Sequence, residues 1–222
     1  MSIGTEFFGG SIKLSQPVAV ASKRSPGQLY CFGKRVMDVI FACVALLATW
    51  PFLVVICVLV WADSKGSVFY RQKRHGLNGA IFEIIKFRTM HVNQENFVQC
   101  KNDDQRLTRI GKFLRMTSLD ELPQLLNVLR GQMSLVGPRP HAVEHDRQIT
   151  EVLPHIMARY AVKPGITGLA QVLGFRGSTD TATAIQNRLS ADLRYVETCS
   201  LWLDLKIMLM TVPVVLSGVN AH

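Results

Sequence analysis

The sequence predicts an α/β protein, mainly helical with one small β-hairpin, held on one face of a membrane by an N-terminal re-entrant helix. Three observations carry that prediction. Val39–Ala62 runs for 24 residues without a formal charge and has Pro51 at its midpoint. Asn78-Gly79 separates two β-prone runs. From about residue 106 onward, apolar residues recur mainly at helical spacing.

Residues 1–30 are rich in Gly, Ser, Lys and Pro, and are expected to form a flexible tail. No compact apolar region there precedes a small-residue cleavage site, so no signal peptide is expected. The uncharged run is long enough to cross a bilayer as a helix. Pro51, however, removes a helical hydrogen bond at its centre. Its flanks are basic on both sides, with Lys23, Arg24, Lys34 and Arg35 before it and Lys65, Arg71, Lys73 and Arg74 after it. The positive-inside rule keeps both flanks in the cytoplasm. A membrane helix over residues 31–64 that enters, breaks at Pro51 and returns satisfies both constraints, and is favoured over a straight span.

Ser67–Arg74 and Ala80–Thr89 flank the Asn-Gly pair as the strands of a hairpin. Residues 91–108 are polar and read as a surface loop with some helix. Arg106–Arg115 alternates basic and apolar residues as an interfacial amphipathic helix does. Residues 118–130 are predicted helical, and 134–140 a short strand or turn. Residues 141–162 read as helix interrupted by Pro154, and 163–168 as a tight turn. Residues 182–219 read as helix again, and the apolar end carries Asp204, Lys206 and Pro213. That end reads as interfacial or buried rather than membrane-spanning. Residues 65–222 are thereby expected to form the domain that carries the chemistry.

With 48% hydrophobic residues, a mean hydropathy of +0.20 and a net charge of +9, the chain suits anionic headgroups. A nucleic-acid partner is disfavoured, because the 11 Phe are scattered and no helix-turn-helix, zinc-finger or stacking pattern appears. The five cysteines are odd in number and widely spaced, which excludes a disulfide framework and a zinc site. Free thiols fit a reducing cytoplasm.

Candidate chemistry concentrates in Thr117-Ser118-Leu119-Asp120-Glu121-Leu122-Pro123 and in Gly137-Pro138-Arg139-Pro140. Either Ser118 and Glu121 form a capping box, or Pro123 is the first helical residue. Both registers put Asp120 and Glu121 at a helix N-terminus, where one carboxylate can attack while the other holds Mg²⁺. Taken alone, the pair reads first as an ordinary helix start, whose dipole the acids complement. Arg139, braced by two prolines, is suited to gripping phosphate. Lys86 and Arg88 close the second hairpin strand as further substrate-binding candidates. Asp192 and Asp204 are secondary candidates, because an acid in an apolar region needs a partner or a function. Pairing with Arg194 or Lys206 is the plain alternative.

In this order the segments resemble the bacterial sugar transferases, the monotopic polyprenyl-phosphate phosphoglycosyl transferases. The resemblance rests on Lys34–Asp38, Val68–Gln72, Lys86–Met90, Ser118–Asn127, Met133–Pro140, Lys163–Leu169 and Asp192…Tyr195…Asp204-Leu205-Lys206. It implies the short, catalytic-domain form at the inner membrane, with its catalytic domain facing the cytoplasm. It further implies transfer of a sugar-1-phosphate, galactose or glucose, from a UDP-sugar to undecaprenyl phosphate, with release of UMP. Galactose or glucose has an N-acetylated or deoxyamino sugar as the alternative. Asp120 would form a covalent aspartyl-phosphosugar intermediate, Glu121 would hold Mg²⁺, and Arg139 would bind phosphate. The chain departs from the family pattern at Trp50, where Ser is usual, and at Gln132, Ala170 and Thr198-Cys199, but not at Asp120, Glu121 or Arg139.

Overall fold

The computed structural model describes residues 26–91, 104–175 and 181–216. The expected tail, apart from its last residues, and most of the polar loop at 91–108 lie outside the described residues. Helix α1 covers Gln28–Asp63, so residues 28–30, assigned from sequence to the tail, form its first turn. Pro51 lies inside one uninterrupted helical run, so the break expected there takes the form of a missing hydrogen bond within a helix, not of a loop. Two residues earlier, Thr49 Oγ1 donates to the Ala45 carbonyl, a bond that often bends helices.

Both arms of α1 are tied to the rest of the chain. Lys34 pairs with Asp204 at 2.9 Å, and Arg35 caps the carbonyls of Val128 and Leu129. Asp38 accepts from Ser134 Oγ and the Leu135 amide, both at 3.0 Å. Ala42 packs with Leu125, Val128 and Met133, and beyond the proline Ile56 and Val60 pack with Phe87 and Leu114. Asp63 then accepts from the Ile110 amide. The surface between these contacts is apolar and uncovered, with Leu47 74% and Trp61 70% exposed. The most apolar window of α1 is only 11% buried, which is unlike the core helix of a soluble domain.

Strands β1 (Phe69–His75) and β2 (Ile81–Phe87) form the predicted antiparallel hairpin. Its turn uses Asn78 and Gly79 at positive φ, as an Asn-Gly turn requires. Helix α2 (Arg109–Thr117) follows, with Thr108 capping the Gly111 amide. It exposes Phe113 and Met116 alongside its basic residues, consistent with the interfacial reading. Helix α3 is confined to Gln124–Leu129. Strands β3 (Ser134–Val136) and β4 (Gly165–Thr167) pair in parallel, so the residues expected to form only a tight turn contribute a strand. Between them run α4 (Val143–Val152) and a 3₁₀ segment, Pro154–Ala161, which begins at the proline expected to interrupt the helix. Helix α5 (Leu169–Val172) leads to α6 (Ala182–Thr198) and α7 (Leu201–Leu216). The single helical stretch expected over 182–219 is thus two helices, parted at Cys199-Ser200. Cys31, Cys43, Cys57 and Cys199 are free thiols.

Candidate active site

Gly137 brings β3 against β4. A Cβ there would lie 2.3 Å from the Lys163 carbonyl oxygen, so no other residue fits without moving backbone. The Gly137 amide donates to Thr167 and the Gly165 amide to Pro138, and the chain then turns through Pro138-Arg139-Pro140. Arg139 leaves that turn and grips Glu121 with both guanidinium ends, Nη1 to Oε2 at 3.0 Å and Nη2 to Oε1.

Asp120 and Glu121 occupy a 3₁₀ turn, Leu119–Glu121, between α2 and α3. Ser118 has φ +59 and ends α2, so the capping box does not form, and the carboxylates lie outside α3 as in the alternative register. They therefore do not draw on a long helix dipole; the anion-stabilising field comes from side chains. Asn127, fully buried, joins α3 to β2 by accepting from the Ile85 amide and donating to the Glu83 carbonyl. That splice sets Lys86 on β2 beside the 3₁₀ turn. Arg115 is fixed by donating to Thr89 Oγ1, and Arg74 by donating to the Pro140 carbonyl.

The electrostatics follow. Burial, reinforced by Glu121, pushes the Asp120 carboxyl up to about 6, while Lys86, Arg115 and Arg139 oppose the rise. Burial and Arg74 push Lys86 down to about 8, against the pull of Asp120 and Glu121. Glu121 drives the Arg139 guanidinium further above its ordinary value. Two carboxylates thus lie among four cationic side chains, and the excess positive charge suits a diphosphate.

The other sequence candidates are placed elsewhere. Arg88 donates to the Ser64 carbonyl and hydroxyl, securing the end of α1. Asp204 is fully buried and accepts from Tyr30, Lys34 and Tyr195, tying α1 to α7. Asp192 pairs with Arg159 at 2.8 Å. Neither acid pairs as expected with Arg194 or Lys206 in these contacts, because their partners come from distant elements. Arg74, read from the sequence as a flank residue, and Arg115, read as part of an interfacial helix, join the site as cations that the sequence did not single out. Arg115 lies five residues before Asp120, at a spacing that a turn as well as a helix could bring to the carboxylates.

Among the described residues no group of three or more His, Cys, Asp or Glu side chains could hold a metal alone. Magnesium does not need one, because it takes one or two carboxylates and completes its shell with water and substrate phosphate. Glu121 beside Asp120 fits that donor set once Arg139 has released it.

A long, largely uncovered apolar helix packed beside a carboxylate pair among four cationic side chains suits an enzyme that handles phosphorylated groups in association with a membrane. The bacterial sugar transferase profile matches residues 29–218, and the chain belongs to that family. It is 49% identical over 191 residues to the UDP-glucose:undecaprenyl-phosphate glucose-1-phosphate transferase of Caulobacter vibrioides, covering 85% of this chain and 72% of that protein. Identity to the protein of the same name from Xanthomonas campestris pv. campestris is 46% over 196 residues, covering 87% of this chain but 40% of its relative. The exopolysaccharide production protein PSS of Rhizobium leguminosarum bv. phaseoli is 42% identical over 185 residues, covering 81% of this chain and 92% of that protein. The enzyme class read from the residue blocks, an undecaprenyl-phosphate sugar phosphotransferase, is the class named in the first two relatives.

Proposed function

We propose that the chain transfers glucose-1-phosphate from UDP-glucose to undecaprenyl phosphate at the cytoplasmic face of the inner membrane, releasing UMP, as the first membrane step of exopolysaccharide synthesis. The relatives' names support glucose over galactose. The observation that carries the reading is Asp120, 6% exposed and set among Lys86, Arg74, Arg115 and Arg139.

Asp120 attacks the β-phosphorus of UDP-glucose. An oxygen–phosphorus bond forms as the bond to the bridging oxygen breaks, and that electron pair leaves with UMP. An oxygen of undecaprenyl phosphate then attacks the same phosphorus and frees the Asp120 carboxylate. Dividing the transfer in this way replaces one difficult step by two easier ones. Arg139 takes the phosphate oxygens with its fork of donors, and Lys86 offers a point charge. Magnesium, held by Glu121, would neutralise charge on the diphosphate. The two substrates meet because α1 seats the site at the lipid surface. Both arms of α1 touch the domain, and only residues 47–52 lie between the inner contacts. That length is about 9 Å of helix, against roughly 30 Å of hydrocarbon. It supports a re-entrant hairpin.

The test is UMP release by membranes given undecaprenyl phosphate and a panel of UDP-sugars. UDP-glucose is expected to be preferred, and Asp120→Asn to abolish release while the protein stays membrane-bound. Preference for a UDP-N-acetylhexosamine would overturn the sugar assignment. Full activity in Asp120→Asn would remove Asp120 as nucleophile.

A further inference from the structure

Pro138 and Pro140 fix their own φ, and Pro140 keeps Arg139 out of the helical region, but neither proline fixes its own ψ or the conformation of His141. The structure supplies what the prolines cannot. Three successive backbone groups are each held by a side chain from another element. Arg159 Nη2 donates to the Arg139 carbonyl at 2.5 Å, and Arg74 Nη1 to the Pro140 carbonyl at 2.9 Å. The His141 amide donates to the Tyr160 hydroxyl at 3.3 Å.

Two of the three holders converge on Asp146, which lies fully buried in the first turn of α4. Its Oδ2 accepts from the Tyr160 hydroxyl at 2.6 Å and lies 2.8 Å from His75 Nδ1. Its Oδ1 lies 3.0 Å from His141 Nδ1. An ionised carboxylate only accepts, so each imidazole presents Nδ1–H to it. That leaves His141 Nε2 as the acceptor, and Arg159 Nη1 lies 3.0 Å from both ring nitrogens. Burial and Arg159 hold the His141 ring well below its ordinary pKa, in keeping with a neutral ring. Arg159 is anchored in turn by Asp192. Asp146 and Asp192 are both buried.

We propose that Asp146 is a positioning residue for phosphate binding: through His141, Arg159 and Tyr160 it fixes the backbone of residues 139–141 and so aims the Arg139 guanidinium at the donor's phosphates. This rests on the function proposed above. Breaking the hub leaves Arg139 present but misdirected, so the loss falls on substrate binding. It also depends on Arg139 being there, which separates aiming from mere support of the fold.

The test compares Asp146→Asn with wild type in the full chain. The amide is the same shape but turns an N–H₂ toward at least one of the three donors. The KM for UDP-glucose is expected to rise about tenfold with kcat within about threefold, and the Kd for UDP to rise in parallel. In an Arg139→Ala background the same substitution is expected to cost less than twofold, because coupled residues are non-additive. Should Asp146→Asn not fold, His141→Gln retains the carboxylate and is expected to shift KM in the same direction. An unchanged KM and UDP Kd with kcat falling in step with the folded fraction would overturn the proposal, as would additive losses. UDP binding needs no turnover. An inactive wild type therefore counts against the reaction, and an unchanged UDP affinity in the variant counts against the positioning role.

Discussion

Arg139 and Glu121 form a two-point ion pair across 18 residues of sequence, so the proposed phosphate ligand and the proposed metal ligand hold one another. The pair keeps both groups aligned and neutralised beside Asp120. Because both guanidinium ends are engaged, its parts are not interchangeable with residues of the same charge.

Arg139→Lys keeps the charge but loses the fork. A lysine can pair with Glu121 but cannot hold two oxygens in one plane. The kcat/KM for UMP release is expected to fall about 10- to 100-fold, which corresponds to about 1.4–2.7 kcal/mol. Steady-state kinetics on purified membranes measure it, and near wild-type values would mean that Arg139 acts as a simple counter-charge.

Glu121→Gln removes the proposed metal ligand and frees Arg139 at once. Half-maximal UMP release is expected to need at least about tenfold more Mg²⁺, because loss of a carboxylate weakens a hard-cation site. A magnesium titration of wild type and variant decides it. An unchanged midpoint would assign the metal to other ligands.

Lys86 is expected to set the alkaline side of the activity profile. Burial, with Arg74 adding to it, pushes its ammonium down to about 8, so the charge is present below that pH and lost above it. The KM for UDP-glucose is expected to rise as pH passes 8. Lys86→Arg should remove this rise, because a guanidinium stays protonated throughout the range. Initial rates from pH 6.5 to 9.5 measure both; an alkaline limb that survives in Lys86→Arg would belong to another group.

What the sequence made legible was whatever local chemistry dictates. The hairpin followed from Asn78-Gly79, and the membrane segment from an uncharged run with basic flanks. Asp120, Glu121, Arg139 and Lys86 do come together. Of the two registers open for Asp120, the capping box did not form, because Ser118 takes a left-handed conformation, and the carboxylates sit just ahead of α3 as the other register has them. Burial partners were the least legible part. Asp204 meets Lys34 from 170 residues away, and Asp192 meets Arg159, pairings set by packing that no local spacing announces. Arg74 was read as one more basic flank residue, yet the β1 register carries it to the Pro140 carbonyl.

Gly137→Ala should cost folded protein outright. Its Cβ would meet the Lys163 carbonyl oxygen at 2.3 Å and the Gly165 amide nitrogen at 2.9 Å, both backbone atoms that cannot rotate away. Gly27→Ala, with nothing within 4 Å, is the control and should behave as wild type. Yield of monodisperse protein in detergent separates the two, and a well-folded, active Gly137→Ala would show that β3 and β4 can part.

Asp204 anchors α1 to α7. Asp204→Asn leaves the Lys34 ammonium buried against a neutral amide, and loss of one partner of such a pair costs about 3–5 kcal/mol. The thermal unfolding midpoint is expected to fall by several degrees with the KM of surviving enzyme unchanged. The apolar double substitution Lys34→Met/Asp204→Leu should recover part of the loss, because it removes the unpaired charge but takes the acceptor from the Tyr30 and Tyr195 hydroxyls. A fall in kcat without a fall in midpoint would instead give Asp204 a part in the reaction.

The re-entrant course proposed for α1 can be tested at its two ends. Cysteines placed at Gly27 and Lys65, in a chain stripped of its native cysteines, bracket the helix just outside its first and last residues. A straight span would put them on opposite sides of the bilayer. A hairpin puts both in the cytoplasm, as the basic flanks demand. A membrane-impermeant maleimide is therefore expected to label neither site in intact spheroplasts and both after permeabilisation. The side contacts point the same way, since Lys34 before Pro51 and Asp63 after it both bond to the same domain. Labelling of one site alone in intact spheroplasts would require that one set of contacts be broken in the membrane, and would make α1 a spanning helix.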